Sequence, residues 1–328
     1  MAVADAHSDL LQELTHAEHE LRDPDPLRSR WLEPLARGNV ALQVCAIYVD
    51  ADLPPGDGLV EVLCQARSFR AGVAANADRV VDVATAADLD RLGGGRTGLL
   101  LALEGAAALD GRTWLIDVLA DLGVRMASLT WNERNAFAAG CHHEEGLTPL
   151  GARLLERMLA RGIVPDLAHA SPRTFADVLA LAPHGGVLAS HAACRAVHDH
   201  PRNLTDAQLE TLAARGGLLG AMPHPIVVDP ARPTLERFLD HVDHAVAVMG
   251  VEHVALGGDF LRQIVRARGE ADQVYDGMPA DSAIEELAGP QDYPRLAAAL
   301  SARGYGADDV RAIMGGNLLA LLRRALPA

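Results

Sequence analysis

Aromatic residues are scarce in this sequence, 4% of 328 positions, although apolar residues of all kinds reach 49%. A core built under that constraint is filled by Ala, Leu and Val, the small and branched side chains that suit the layered interior of a β-barrel. Cysteine is equally sparse. Cys45, Cys64, Cys141 and Cys194 stand far apart with no Cys-x-x-Cys pair, which argues against a cysteine zinc cluster or a disulfide framework and leaves core thiols in a reducing compartment as the expectation. Basic residues are outnumbered, 29 Lys and Arg against 44 Asp and Glu, for a formal charge of -15. Nucleic acids are gripped by a concentrated basic face, so they are not expected partners. No apolar run approaches the roughly 18 residues of a membrane span. The opening residues carry neither the basic nor the apolar segment of a secretory signal. A cytoplasmic chain without membrane contact is therefore expected.

What is present is alternation. Short apolar runs at 3–6, 40–49, 97–103, 125–129, 163–167, 186–189, 217–221 and 253–256 read as eight strands. Amphipathic stretches follow most of them, clearest at 150–161, 172–181, 205–215, 235–249 and 307–324, several opened by a Ser, Thr or Asp cap. Glycines at 123, 162, 216 and 250 fit helix ends just before a strand. Repeated βα units predict a parallel α/β fold. Eight of them favour a closed (β/α)₈ barrel, although periodicity alone also admits a doubly wound open sheet. No linker divides the chain, so one domain over 1–328 is expected. Residues 262–289, with mixed charge and scattered Gly and Pro, read as a long loop or lid after the eighth strand, ahead of the C-terminal helices.

Ionisable side chains fall at the C-terminal ends of these runs, where barrel enzymes place their active sites. His7 and Asp9 follow the first strand, Glu104 closes the third, His169 the fifth, His191 the sixth, and Asp259 follows the eighth. Each alone has a plainer explanation. His-x-Asp is more often a chance surface pair, Glu104 could pair with an Arg or Lys, the histidines could be hydrogen-bonded in the core, and Asp259 could cap a helix. Together, three imidazoles and three carboxylates supply enough donors for two metal ions and one acid-base group. The remaining histidines, His241 among them, read as solvated, with His224 between two prolines kept as a candidate pocket residue.

The ordered segments Asp5-Ala-His-Ser-Asp9, Leu103-Glu-Gly105, Gly123-Val-Arg-Met-Ala-Ser-Leu-Thr-Trp-Asn132, Gly146-Leu-Thr148, Asp166-Leu-Ala-His169, Ser190-His191, His200-Pro-Arg-Asn203, Gly257-Gly-Asp-Phe260 and Gly315-Gly-Asn317 resemble the membrane (renal) dipeptidase family of the amidohydrolase superfamily over nearly the whole chain. The resemblance implies a two-zinc site in which Glu104 bridges, His7 and Asp9 hold one ion, and His169 and His191 hold the other. It also implies that Arg202 grips the substrate carboxylate, that Asp259 moves protons, and that members pair as homodimers. Trp131, Asn132 and His224 complete the expected substrate-binding set. Two departures stand out: Trp131 occupies the position of a family histidine, and an Asp-Phe-Asp run becomes Asp259-Phe260-Leu261.

These features predict hydrolysis of a dipeptide amide bond by a bridging hydroxide, a D residue at the C-terminal position being admitted. Another amide, a lactam or a conjugate, or a metal-binding homologue without catalysis, are the competing expectations.

Overall fold

The computed structural model describes residues 1–50, 53, 56–275 and 277–328. Nine parallel strands form its main sheet: β1 (Val3–Asp5), β2 (Val40–Tyr48), β3 (Val80–Asp82), β4 (Thr97–Glu104), β5 (Val124–Ser128), β6 (Val164–Asp166), β7 (Leu188–Ala192), β8 (Leu218–Ala221) and β9 (Val254–Leu256). Their order is β2-β1-β9-β8-β7-β6-β5-β4-β3, and β2 also pairs with β4. That extra pairing closes eight strands into a barrel, in register from Leu42 opposite Gly98 to Tyr48 opposite Glu104. The eight expected strands are these eight, and the closed barrel replaces the open-sheet alternative.

The ninth, β3, was not expected. It is three residues long and pairs with the start of β4 over Val80 to Asp82, on the edge that β5 takes up from Leu101 onward. A two-valine run is too short for periodicity to register.

Helices begin where capping chemistry places them. Ser171 accepts from the Thr174 amide ahead of Pro172–Leu181, Thr148 caps Pro149–Ala160, and Thr205 forms a capping box with Gln208. Two expectations need correction. Residues 307–324 are not one helix: Ala307–Arg311 gives way to a π turn, Ala312–Gly316, before Asn317–Ala325. Gly315 sits at that kink, where a Cβ would lie 2.6 Å from the Ala4 nitrogen. Asn317 fastens the turn by donating to the Val251 and Val254 carbonyls, both at 2.8 Å. The helix beyond it packs Leu318, Leu321 and Leu322 with the barrel-lining Ala4, Leu42 and Val44.

Residues 262–289 are likewise more ordered than a loop. They hold a helix, Arg262–Ala267, and an antiparallel hairpin, Val274–Tyr275 with Met278–Pro279. The charges that made this stretch look irregular pair within it, Arg262 with Glu285 and Arg266 with Asp281.

His241, read as solvated, is 1% exposed. Its Nδ1 accepts from the Cys194 amide at 3.0 Å and its Nε2 donates to the Val228 carbonyl at 2.9 Å. Burial pushes its pKa down to about 4. Below about pH 6.5 the unfolded chain takes up a proton that the folded chain refuses, so stability falls from there until the pH nears 4. Between pH 7.5 and 5, urea midpoints should report a loss on the order of 2 kcal/mol from this group. His241→Asn, which keeps an acceptor facing Cys194, should shrink the pH dependence by that amount. An unchanged slope in the variant would contradict the assignment.

Candidate metal centre

At the C-terminal mouth of the barrel the six expected groups meet. His7 Nε2 lies 3.5 Å from Asp9 Oδ1, 3.5 Å from Glu104 Oε2 and 3.7 Å from Asp259 Oδ1. Across the carboxylate, Glu104 Oε1 is 2.9 Å from His169 Nε2 and 3.3 Å from His191 Nε2. All six are at least nine-tenths buried. Two overlapping donor sets emerge, His7 with Glu104 and His191, and His7 with Asp9 and Asp259, each with ligand atoms within 4.8 Å of one another.

Local backbone explains the convergence, and not always as strand alternation does. β1 ends at Asp5, so His7 and Asp9 come together through a turn in which the His7 amide donates to Asp5 Oδ1. Asp9 then stands at the N-terminus of helix Leu10–His19, its side chain free of capping duty. His169 and Asp259 adopt positive φ, 64° and 43°. Non-glycine residues in that region are strained and persist where the surroundings fix them. Glu104 is the last residue of β4, and His191 lies within β7. Its close neighbours are glycines: a Cβ at Gly220 or Gly257 would fall 1.8 or 1.9 Å from the Ser190 carbonyl oxygen.

Burial sets the protonation states. Glu104 is pushed up by burial, but the His7 charge leads the influences that outweigh this and hold it well below the usual carboxylate range. Asp259 is raised to about 7 and Asp9 to about 6, in each case chiefly by burial. Burial, reinforced by the Arg202 charge, depresses His169 to about 3.

The donor chemistry fits cations. His169 Nδ1 lies 2.6 Å from Asn132 Oδ1, an acceptor, so Nδ1 carries the proton and Nε2 presents a lone pair. His191 is fixed the same way by Ser190 Oγ at 2.8 Å. The two bare Nε2 atoms face one another at 2.8 Å, and His7 Nε2 and Asp9 Oδ1 are buried without a hydrogen-bond partner. Buried unsatisfied acceptors are costly, and a divalent ion removes that cost by taking the lone pairs.

A family model for membrane dipeptidases, peptidase family M19, matches residues 1–326. The chain belongs to the membrane dipeptidase family. It is 31% identical over 239 residues to dipeptidase tcpJ of Claviceps purpurea, covering 70% of this chain and 51% of that protein. To dipeptidase verJ of Clonostachys rogersoniana it is 30% identical over 270 residues, covering 80% and 62%. The chain thus spans about half to three fifths of the length of these curated relatives. Its barrel superposes with a TM-score of 0.84 on a metallo peptidase from Rhodobacter sphaeroides liganded with a phosphinate mimic of the dipeptide L-Ala-D-Ala, at 24% identity and 99% coverage of both chains. In this chain the clustered donors stand at the mouth of the barrel. No helix among the described residues is long and apolar enough to cross a membrane.

The remaining expected residues take distinct places. Arg202 is 6% exposed and donates to the His191 carbonyl at 3.0 Å. Among the described residues no carboxylate lies within ion-pair distance of it, and burial lowers its pKa. Trp131 borders the cluster, its ring 5.7 Å from His169 and 5.5 Å from Tyr48. Asn132, expected to meet substrate, turns its amide oxygen to His169 and to Cys141 Sγ at 3.3 Å. His224 stands three residues beyond β8, where Nδ1 accepts from the Ile226 amide at 3.3 Å.

Tyr48 went unnoticed in the sequence, although it closes an apolar run just as Glu104 does. Asp5 and Tyr293 were missed too: Asp5 accepts from the His7 and Gly258 amides at 3.1 and 2.7 Å and from the Tyr293 hydroxyl at 2.7 Å.

Replacing Gly257 by Ala puts a methyl into the Ser190 carbonyl beside His191, so Gly257→Ala should destabilise by about 1–3 kcal/mol or more, the cost of overpacking. Gly306→Ala, whose Cβ would meet only Asp309 Oδ2 at 3.4 Å, should be near neutral. Equal denaturation midpoints for the two variants would contradict the packing argument.

Proposed function

We propose that this chain is a dipeptidase with a two-zinc site, acting as one domain over residues 1–328. The single observation that carries the reading is the buried cluster of unpaired lone pairs beside a buried arginine that has no carboxylate partner among the described residues. His7 and Asp9 would hold one ion and His169 and His191 the other, with Glu104 reaching both. Bound zinc supplies Lewis acidity, bringing the pKa of water towards neutrality and polarising an amide carbonyl.

The chain's own groups do the rest. Arg202 offers planar guanidinium donors to the terminal carboxylate of a short substrate, with one Nη2 bond to the His191 carbonyl holding it in place. Asp259, buried 3.7 Å from His7 Nε2, is placed to take a proton from the attacking water and return it to the leaving amine. Trp131 and Tyr48 wall the mouth and limit water access. Family membership supports the reaction class, and the phosphinate dipeptide mimic in the Rhodobacter neighbour supports a panel that includes a D residue at the C-terminal position. Trp131 and Leu261, the two departures from the family pattern, favour adding other amides and lactams to that panel.

With zinc supplied, the protein should release two amino acids from members of a dipeptide panel, and a chelator should abolish this. Asp259→Asn should lower kcat by about 10²–10⁴-fold. Arg202→Leu should raise KM by about 10–100-fold, the worth of a lost charged hydrogen bond. A metal-loaded chain that turns over no member of the panel overturns the proposal.

A further inference from the structure

Behind His191 lies a hydrogen-bonded chain that the reaction itself does not use. Asp166, the last residue of β6, accepts from the Ala168 amide at 3.0 Å and from the Ser190 amide at 2.9 Å through Oδ1. Its Oδ2 accepts the Ser190 hydroxyl at 2.5 Å. Ser190 is fully buried on β7, and its single hydroxyl proton is committed to that carboxylate. The serine oxygen is left as an acceptor, and the group facing it at 2.8 Å is His191 Nδ1. The order of protons is thereby set from one end: carboxylate, serine hydroxyl, Nδ1–H, and a bare Nε2 turned into the cluster. His169 reaches the same tautomer through a neutral amide, that of Asn132.

We propose that Asp166 and Ser190 are positioning residues, a carboxylate relayed through a hydroxyl that locks His191 in its ligating tautomer and makes it the stronger imidazole donor of the pair. The inference rests on the metal reading above. Outer partners of this kind orient a ligating histidine and raise its basicity, and their loss typically costs about 10–100-fold in metal affinity.

The relay makes an ordering that a purely structural role does not. In Asp166→Asn, which has nearly the same shape, the amide oxygen keeps the two backbone bonds and the amide nitrogen must donate to Ser190 Oγ. The serine hydroxyl then turns to His191 Nδ1, and the ring proton moves to Nε2, where it blocks the lone pair. An amide in place of a carboxylate behind a histidine selects the wrong tautomer in this way. Ser190→Ala merely deletes the link and leaves both tautomers open. The milder-looking substitution should therefore do more harm.

The test measures zinc affinity of the full chain by competition with a chelator, zinc content by mass spectrometry, and the His191 ring tautomer by 15N chemical shifts in metal-free protein. Thermal unfolding of both variants checks that they fold. Ser190→Ala should lose about 10-fold in zinc affinity and Asp166→Asn about 100-fold, and His191 should pass from Nδ1–H in the parent to Nε2–H in Asp166→Asn. Affinities equal to the parent's, a larger loss in Ser190→Ala, or an unmoved tautomer in Asp166→Asn would overturn the relay. A parent chain that takes up no divalent ion yet shows the tautomer switch supports the relay and counts against the metal reading instead.

Discussion

The first and last strands of the barrel share one ladder pair, Asp5 with Leu256, and the Asp5 carboxylate adds a side-chain clamp across that seam. It accepts from the His7 amide on one side, the Gly258 amide on the other, and the Tyr293 hydroxyl from behind. Burial raises its pKa, and those three bonds oppose the rise, so its charge is held by hydrogen bonds rather than by a cation. The consequence reaches the site directly. His7 and Asp259 flank the two clamped amides, and the Asp259 amide itself donates to the His7 carbonyl at 3.2 Å. A strained Asp259 backbone is tolerable there because its neighbours on both strands are fixed.

Closure at the opposite seam is of another kind. β2 and β4 run in register from Leu42 and Gly98 to Tyr48 and Glu104, and that long ladder delivers Glu104 to the mouth at a fixed height. The carboxylate then lies between His7 and the His169/His191 pair. His7 is driven well above its ordinary pKa, burial being overcome by the nearby carboxylates, Glu104 first and Asp259 with it. A protonated His7 is the nearest the chain comes to neutralising its own cluster, and it leaves the two facing Nε2 atoms of His169 and His191 unreconciled. That mismatch, more than the count of histidines, separates this arrangement from an ordinary buried ion-pair network, in which donors and acceptors alternate.

Much of this was legible in the sequence, for physical reasons. Apolar runs of four residues or more that end in an ionisable group announce both a strand and its catalytic end, and Glu104 and His191 were readable in that way. The route by which His7, Asp9, His169 and Asp259 arrive was not, because turns, with positive φ at His169 and Asp259, leave no periodic trace. β3 was too short to register, and the kink at Gly315 looked like continuous helix because its cause, the Ala4 backbone, lies at the far end of the chain. His241 was misjudged for a similar reason. Its helix is amphipathic and polar residues flank it, but both ring nitrogens find backbone partners across the core.

Leu261 and Trp131 shape the rim more than the centre. Leu261 packs against the main core and precedes helix Arg262–Ala267, where Gln263 reaches Glu13 at 2.9 Å and Arg262 reaches the Asp281 carbonyl at 2.9 Å. An apolar side chain at 261 thus anchors the segment that follows the last strand where a carboxylate would have sought solvent or a cation. Trp131 acts similarly on the other side, setting an indole edge-on to Tyr48 and tilted toward His169. A large apolar ring beside His169 lowers the local dielectric there and strengthens charge interactions inside the mouth.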